Sequence, residues 1–188
     1  VVNTYQGLKQ SGTRPAMLGE AGYTSMFSAV GSSDYTREFH NAFWSGLATG
    51  MASSPFWWDY TTLSIFTDEV METYINLGRF VENLPLSTTP MQRYAVEQAD
   101  ANIYSMANDS MAIGWVFRVD SDFIPGVKFN VPNLETGTFN VEWFNTWTGS
   151  VEHVDTLVAV DGFFKLTVFD MPVPERDIAF KVRKIENG

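Results

Sequence analysis

One acidic residue directly follows an apolar segment that is flanked by glycines. Residues 14–19 read Arg-Pro-Ala-Met-Leu-Gly, and Glu20 comes next. A continuous apolar run of this kind predicts a buried strand of a parallel sheet covered by helices. A carboxylate at the end of such a strand can act as a nucleophile or a general acid or base, and Gly19 and Gly22 leave room for a substrate beside it. The alternative is a Glu that caps a loop or pairs with Arg.

Two tryptophans and an acid close the next short apolar segment, residues 52–59. If this segment is a strand, Trp57 and Trp58 point to opposite faces, so that one of them is available to a ligand. The alternative is that both rings belong to the core, since tryptophan is usually largely buried. Asp59 is placed either to hydrogen-bond a ligand or to cap the following turn.

Two helices are predicted next to these segments. Apolar residues recur at the spacing of one buried helical face between Phe39 and Leu47, with Ser33 or Asp34 as the cap and Gly50 as the stop. A second helix is predicted from Asp68, because apolar residues repeat at helical spacing as far as residue 81. Two parallel strands and two helices cannot cover both faces of a sheet, which indicates that residues 1–85 belong to a larger α/β domain.

The second half of the chain has a different sequence pattern. Residues 86–100 are predicted to be a linker, and residues 101–188 carry short alternating strands separated by turns, among them 157–160 and 178–185. Six or seven such strands favour two packed antiparallel sheets, a β-sandwich. Trp143 and Trp147 lie four positions apart around a predicted turn. They are interpreted as core or fastening residues, with a ligand platform as the alternative.

Composition excludes several classes of function. The formal net charge of −10 disfavours nucleic acid as a partner, and no apolar run is long enough to predict a membrane helix. There is no cysteine, so thiolate chemistry is excluded. His40 and His153 have no acidic partners at ligand spacing and are predicted to be surface or half-buried residues; no metal and no cofactor are expected. Asp120 and Asp122 are interpreted as a turn rather than a calcium site.

The segments at 15–22, 40–50 and 56–59 together resemble a known pattern. Pro-Ala-Met-Leu-Gly-Glu-Ala-Gly, then His-Asn-Ala-Phe-Trp-Ser-Gly, then Phe-Trp-Trp-Asp are similar to the later strands and helices of clan A glycoside hydrolases, the cellulase- and mannanase-type barrels. The segments at 143–149 and 177–181 resemble the small β-sandwich, labelled collagen-binding-like, that follows such barrels. The resemblance implies the last strands and helices of a (β/α)₈ TIM barrel over 1–85, followed by an antiparallel β-sandwich over 101–188.

The resemblance also implies roles for individual residues. Glu20 would be the nucleophile of a retaining hydrolase of β-linked polysaccharides or oligosaccharides. One of the two tryptophans would stack on a pyranose ring. The implied substrate-binding residues are Tyr5, Tyr23, Trp57, Trp58 and Asp59. Tyr5 would donate to the Glu20 carboxylate, although an ordinary packed tyrosine is the alternative.

One feature departs from the family pattern. The acid/base Glu of these enzymes follows an Asn, and no Asn-Glu dipeptide occurs in this sequence. The acid/base carboxylate is therefore expected outside this chain, on an N-terminal barrel portion that belongs to the same protein or to a second chain. The alternative function is a non-catalytic carbohydrate- or protein-binding module with a degenerate barrel remnant. The resemblance also implies a secreted or periplasmic protein.

Overall fold

The computed structural model divides the chain into two compact units, Val1–Val81 and Glu82–Gly188. The structure describes residues 32–50, 66–86, 88–97, 101–118, 126–160, 164–168 and 177–185.

Helix α1 spans Ser33–Ala48. It begins one residue earlier than a cap at Ser33 would give, and two residues earlier than a cap at Asp34 would give. Ser32 is the N-cap, and its side-chain oxygen accepts a hydrogen bond from the backbone N–H of Tyr35 at 3.3 Å. At the other end Gly50 has a φ of 67°, which a residue without a Cβ adopts at little cost. The prediction that the helix stops at Gly50 is confirmed.

The prediction that α1 buries a single apolar face is only partly right. Phe39 and Phe43 are buried as predicted, but His40 and Trp44 on the neighbouring face are buried as well. The prediction of a surface position for His40 is therefore wrong. That prediction assumed that only one face of α1 is buried, whereas this helix contacts protein on more than one side.

Helix α2 spans Asp68–Val81, starting at the predicted residue. Its first turn carries Asp68 and Glu69, which suit the positive end of the helix dipole, and Arg79 lies in the last turn. Aromatic rings join the two helices. The Tyr74 ring meets Phe39 and Phe43 at centroid distances of 5.3 and 4.6 Å, both edge-on, and Trp44 meets Phe80 at 5.2 Å.

The described strands of the second unit are all antiparallel. They are β1 Gln92–Glu97, β2 Asn102–Ala107, β3 Met111–Phe117, β4 Lys128–Asn130, β5 Gly137–Asn145, β6 Ser150–Ala159, β7 Lys165–Thr167 and β8 Asp177–Lys184. Six of them form one sheet in the order β1-β2-β3-β8-β5-β6, and β4 pairs with β7 in a separate two-stranded ribbon. An antiparallel sheet in the second half of the chain was predicted and is confirmed.

The core of this unit lies between one face of the large sheet and the β4–β7 ribbon. Phe129 of the ribbon meets Phe180 of β8 at a centroid distance of 5.3 Å, and Phe164 meets Phe139 of β5 at the same distance. The opposite face of β2 and β3 is buried too. Its side chains include Tyr104, Met106, Ile113 and Trp115. The central strands therefore bury both of their faces, which explains their nearly continuous apolar sequence.

The structure places a strand inside the predicted linker. Residues 92–97 form β1, which pairs with β2 along its whole length from Gln92 opposite Ala107 to Glu97 opposite Asn102. All of its side chains are exposed or partly exposed. An edge strand of this kind lacks the apolar alternation that reveals a half-buried strand, and for that reason the composition of 86–100 suggested a linker.

Candidate functional site

The residues for which the sequence predicts chemistry lie outside the described residues. These are Glu20, Tyr5, Tyr23, Trp57, Trp58 and Asp59, as well as the predicted turn at Asp120 and Asp122. Their predicted roles stay predictions. The described segment that belongs to the resemblance is helix α1, which contains the His-Asn-Ala-Phe-Trp-Ser-Gly sequence.

Helix α1 carries several buried polar side-chain atoms. The imidazole of buried His40 lies 6.0 Å from the Trp44 ring, one turn further along the helix. Glu38 Oε2 and Asn41 Oδ1 are buried, and within the described residues neither has a hydrogen-bond partner. Buried polar atoms are normally satisfied, so polar contacts with the rest of the protein are expected at Glu38 and Asn41.

This environment shifts the pKa of the Glu38 carboxyl group. Burial raises the pKa of Glu38 above its usual value, an effect that the neighbouring Arg37 guanidinium partly opposes and that Asp34 reinforces. Arg37 is itself paired with Asp34 at 2.6 Å, on the exposed side of the helix. Arg37 therefore has its ion pair with Asp34, and its effect on the pKa of Glu38 is smaller than that of burial.

In the second unit the polar groups concentrate at the turn between β5 and β6. Asn145 Oδ1 accepts hydrogen bonds from the backbone N–H groups of Trp147 and Thr148 at 3.0 and 3.1 Å. Gly149 completes the turn with a φ of 71°. The Trp147 indole donates to Asp177 Oδ2 at 3.1 Å, and the Thr146 hydroxyl donates to Asp177 Oδ1. A buried carboxylate at the start of β8 thus fastens the turn to the middle of the sheet.

A second indole–carboxylate pair lies nearby. Trp143 Nε1 donates to Asp155 Oδ2 at 3.1 Å, and His153 Nε2 lies 2.9 Å from Asp155 Oδ1. Trp143 is fully buried in the core, so it is not a ligand platform, and its interpretation as a core residue is confirmed. Both tryptophans of the predicted turn therefore use their N–H groups inside the protein.

Lys181 is the buried cation of the large sheet. Its ammonium lies 3.6 Å from Glu142 Oε2 and 5.7 Å above the centre of the Phe144 ring. Burial lowers the pKa of Lys181; Glu142 opposes the shift, Arg183 adds to it, and Glu82 opposes it further. The pair with Glu142 compensates a charge that burial would otherwise penalise.

Neither a metal centre nor a membrane span emerges from the described residues. No group of three or more His, Asp or Glu side chains among them has the geometry of a metal site. In the same part of the chain, neither helix has the length and apolar character needed to cross a membrane.

No family model and no curated protein matches this sequence. Solved structures do share its fold. A GH30 endoxylanase from Clostridium papyrosolvens has a TM-score of 0.51 at 15% identity, over 98% of this chain and 46% of its own. A structure titled glycoside hydrolase has a TM-score of 0.56 at 10% identity, over 97% of this chain and 46% of its own.

A family 5 glycoside hydrolase from Bacteroides vulgatus has a TM-score of 0.59 at 8% identity, over 96% of this chain and 44% of its own. The chain therefore spans less than half the length of each of these structures. At such identities the likeness establishes the fold alone, which this chain shares with part of each of these three structures. The resemblance drawn from the sequence is confirmed at that level.

Proposed function

We propose that this chain is the C-terminal part of a retaining glycoside hydrolase that acts on a β-linked polysaccharide or oligosaccharide. The observation that carries the proposal is the fold likeness, which covers 96–98% of this chain against glycoside hydrolases of more than twice its length. The sequence resemblance at 15–22, 40–50 and 56–59 points to the same class independently.

In the proposed reaction Glu20 attacks the anomeric carbon and forms a covalent glycosyl-enzyme intermediate. A second carboxyl group, about 5 Å from the first, protonates the leaving oxygen and then activates water. No Asn-Glu dipeptide occurs in this sequence, so the acid/base group belongs to a part of the protein outside these residues. For Glu20 to stay ionised it needs hydrogen-bond donors, and the hydroxyl of Tyr5 is the proposed one.

The remaining proposed roles concern substrate binding. Trp57 or Trp58 would stack on a pyranose ring, while Asp59 would accept hydrogen bonds from sugar hydroxyl groups. Tyr23 would line the cleft beside the nucleophile. We further propose that residues 1–85 are the last part of a TIM barrel and that residues 101–188 form a supporting β-sandwich, in a secreted or periplasmic protein.

A structural role for the second unit agrees with its polar groups. The indole N–H groups of Trp143 and Trp147 are both bonded to carboxylates of the same unit, and Trp143 is buried. Side chains engaged in this way stabilise the sheet. The unit is therefore proposed as a support for the barrel.

The second candidate function is a non-catalytic carbohydrate- or protein-binding module. This function is favoured by the absence of an acid/base Asn-Glu motif from these residues, which also complicates the proposal of a hydrolase. The two functions separate on one question, which is whether the protein that contains this chain hydrolyses a glycan through Glu20.

The decisive experiment replaces Glu20 by Gln and by Ala in the full-length protein, with Glu72→Gln as the control. Glu72 is an exposed residue of α2, so its substitution removes the same charge without touching the proposed site. On β-mannan and β-glucan, Glu20→Gln is expected to lower kcat by at least about 10³-fold, because the nucleophile is lost. Glu72→Gln is expected to retain the wild-type rate.

A second readout identifies the role of Glu20. In Glu20→Ala, added azide can occupy the vacated space and attack the anomeric carbon, so a glycosyl azide of inverted configuration is expected from an activated glycoside. Hydrolysis that persists in Glu20→Gln would remove Glu20 from the chemistry. A wild-type protein that binds these glycans without cleaving them would favour the binding module.

A further inference from the structure

A row of polar side chains crosses the face of the large sheet that is turned away from the β4–β7 ribbon. Asn140 of β5 lies opposite Arg183 of β8 on one side and opposite Thr156 of β6 on the other. Neighbouring strands are about 4.8 Å apart, so the row extends for about 10 Å across three strands. Arg183 and Asn140 are partly exposed, and Thr156 is exposed. We call these three residues the polar row.

Arg183 is the member of the polar row that needs an acceptor. Its Nε is buried, and within the described residues its guanidinium has neither a hydrogen bond nor an ion pair. By contrast, Arg37 has an ion pair with Asp34 at 2.6 Å. Arg79 donates a hydrogen bond to Asn76 Oδ1 at 3.2 Å. Because a shielded donor without an acceptor is unfavourable, an acceptor from outside these residues is expected at Arg183.

The charges near Arg183 favour an acceptor that is an anion. Lys181 lies two residues earlier on the same face, close enough that the positive charge of Arg183 helps to lower the pKa of Lys181. The Glu142 carboxylate is paired with Lys181 at 3.6 Å. Glu142 therefore compensates Lys181, and the charge of Arg183 has no counter-ion among the described residues. A carboxylate is the anion whose two oxygens match the parallel N–H groups of a guanidinium.

The rest of the polar row indicates what kind of molecule carries the carboxylate. Asn140 offers an amide donor and an acceptor, Thr156 offers a hydroxyl group, and neither side chain has a hydrogen bond within the described residues. A uronic acid carries ring hydroxyl groups beside its carboxylate, whereas an acidic side chain of a peptide carries none. Val154 and Val158 flank Thr156 with 53% and 63% exposure, and they offer apolar contact to the C–H groups of a sugar ring.

We propose that the polar row binds a uronic acid of a glycan, with Arg183 holding the carboxylate while Asn140 and Thr156 hold hydroxyl groups of the sugar. The proposal concerns binding alone and stands whether or not Glu20 is a nucleophile. The net charge of −10 is compatible with a ligand that carries one carboxylate. At physiological salt, charges further away than the Debye length of about 8 Å are largely screened, so the nearby Arg183 dominates.

Three small molecules test the chemistry of the ligand. D-Galacturonate, D-galactose and a tripeptide with a central glutamate and both ends blocked are titrated into the full-length protein by calorimetry. Galacturonate is expected to bind with a Kd of about 1 mM. Galactose lacks the carboxylate and the tripeptide lacks the ring hydroxyl groups, so each is expected to bind at least about tenfold more weakly. Raising the salt concentration should weaken the binding of galacturonate.

Substitutions test the location of the site. Arg183→Gln is expected to weaken galacturonate binding by at least about tenfold, because the bidentate charged contact is lost. Lys165→Gln removes the same charge from an exposed position of β7 and is expected to leave the affinity unchanged. Asn140→Ala keeps the guanidinium and is expected to weaken galacturonate binding about fivefold, through the loss of a hydrogen bond to a sugar hydroxyl group. The tripeptide should bind Asn140→Ala as it binds the wild type.

Four results would overturn the proposal. Galacturonate that fails to bind at about 10 mM, tenfold above the expected Kd, is the first. The second is galactose that binds as tightly as galacturonate, and the third is an equal effect of Arg183→Gln and Lys165→Gln. The fourth is a tripeptide that binds at least as tightly as galacturonate, which would assign the polar row to an acidic protein partner instead of a glycan.

Discussion

The ring of Phe180 in β8 occupies the space that a side chain on Gly114 would need. Gly114 lies directly opposite Phe180 in the pairing of β3 with β8, and a Cβ atom at this position would also come within 2.9 Å of Ser105 Cβ in β2. Glycine is required here by close approach inside a packed sheet, since real Cβ atoms are not found at such distances.

The first prediction compares two glycines. Gly114→Ala is expected to lower the free energy of unfolding by about 1–3 kcal/mol, because the added methyl group displaces a core ring. Gly78 in α2 has open space around its Cβ position. Gly78→Ala should therefore raise the free energy of unfolding by about 0.5–1 kcal/mol, the difference in helix propensity. Urea denaturation followed by tryptophan fluorescence measures both, and an unchanged Gly114→Ala would mean that Phe180 has room to move.

The second prediction concerns the two carboxylates that accept indole hydrogen bonds. Asp177 is buried and accepts from Thr146 and Trp147, whereas the Asp155 side chain is 33% exposed and water can reach it. Asp177→Asn is expected to cost about 2–3 kcal/mol, because an amide cannot accept both hydrogen bonds.

Asp155→Asn serves as the matched control for Asp177→Asn. It removes the same charge beside an indole N–H and is expected to cost about 1 kcal/mol or less, as exposed pairs usually do. Both variants are compared with the wild type by urea denaturation at neutral pH. A larger cost for Asp155→Asn than for Asp177→Asn would contradict the assignment of Asp177 as the fastening residue of the β5–β6 turn.

The third prediction is a dependence of stability on pH that comes from Lys181. Burial lowers the pKa of Lys181 below the ordinary value of 10.5, so the unfolded chain binds this proton more tightly than the folded protein does. The free energy of unfolding should therefore rise with pH as the medium approaches 10.5 from below. Lys181→Met should flatten this rise, because it removes the group whose pKa the fold lowers.

The control for the pH experiment is Lys184→Met. Lys184 is a neighbouring lysine with a more exposed side chain, paired with Glu135 at 2.6 Å, and its loss should leave the slope in place. The comparison is made below pH 10.0, the ordinary pKa of tyrosine. Burial raises the pKa of Tyr104 in the folded protein, so above pH 10.0 this tyrosine would ionise first in the unfolded chain and would oppose the effect of Lys181. Identical slopes in the wild type and Lys181→Met would contradict the prediction.

The helices could be predicted from the sequence because their signals are local. Asp68 opens α2 at a position where an acidic residue suits the helix dipole, and Gly50 follows α1 with a left-handed φ. The burial of His40 could not be predicted in this way. A single apolar stripe indicates one buried face, and only the tertiary structure places protein on a second side of α1.

The strands were predicted where one face is apolar and missed where the strand lies at an edge. The sequence predicted a strand over 178–185, and β8 spans Asp177–Lys184. In β6 only residues 157–160 were predicted, although the strand begins at Ser150, because its first half is exposed and charged. The candidate site rests on residue types and resemblance, since Glu20 and the tryptophans near it lie outside the described residues.

The position of β8 constrains the order in which the second unit can be made. Although it comes last in sequence among the described strands, β8 lies between β3 and β5 in the large sheet. A nascent polypeptide that the ribosome has extended only as far as β7 holds two separate half-sheets, each with an unsatisfied edge. A premature stop codon before Asp177 would therefore release an aggregation-prone intermediate rather than a shorter functional protein. Cellular quality control would be expected to degrade this intermediate.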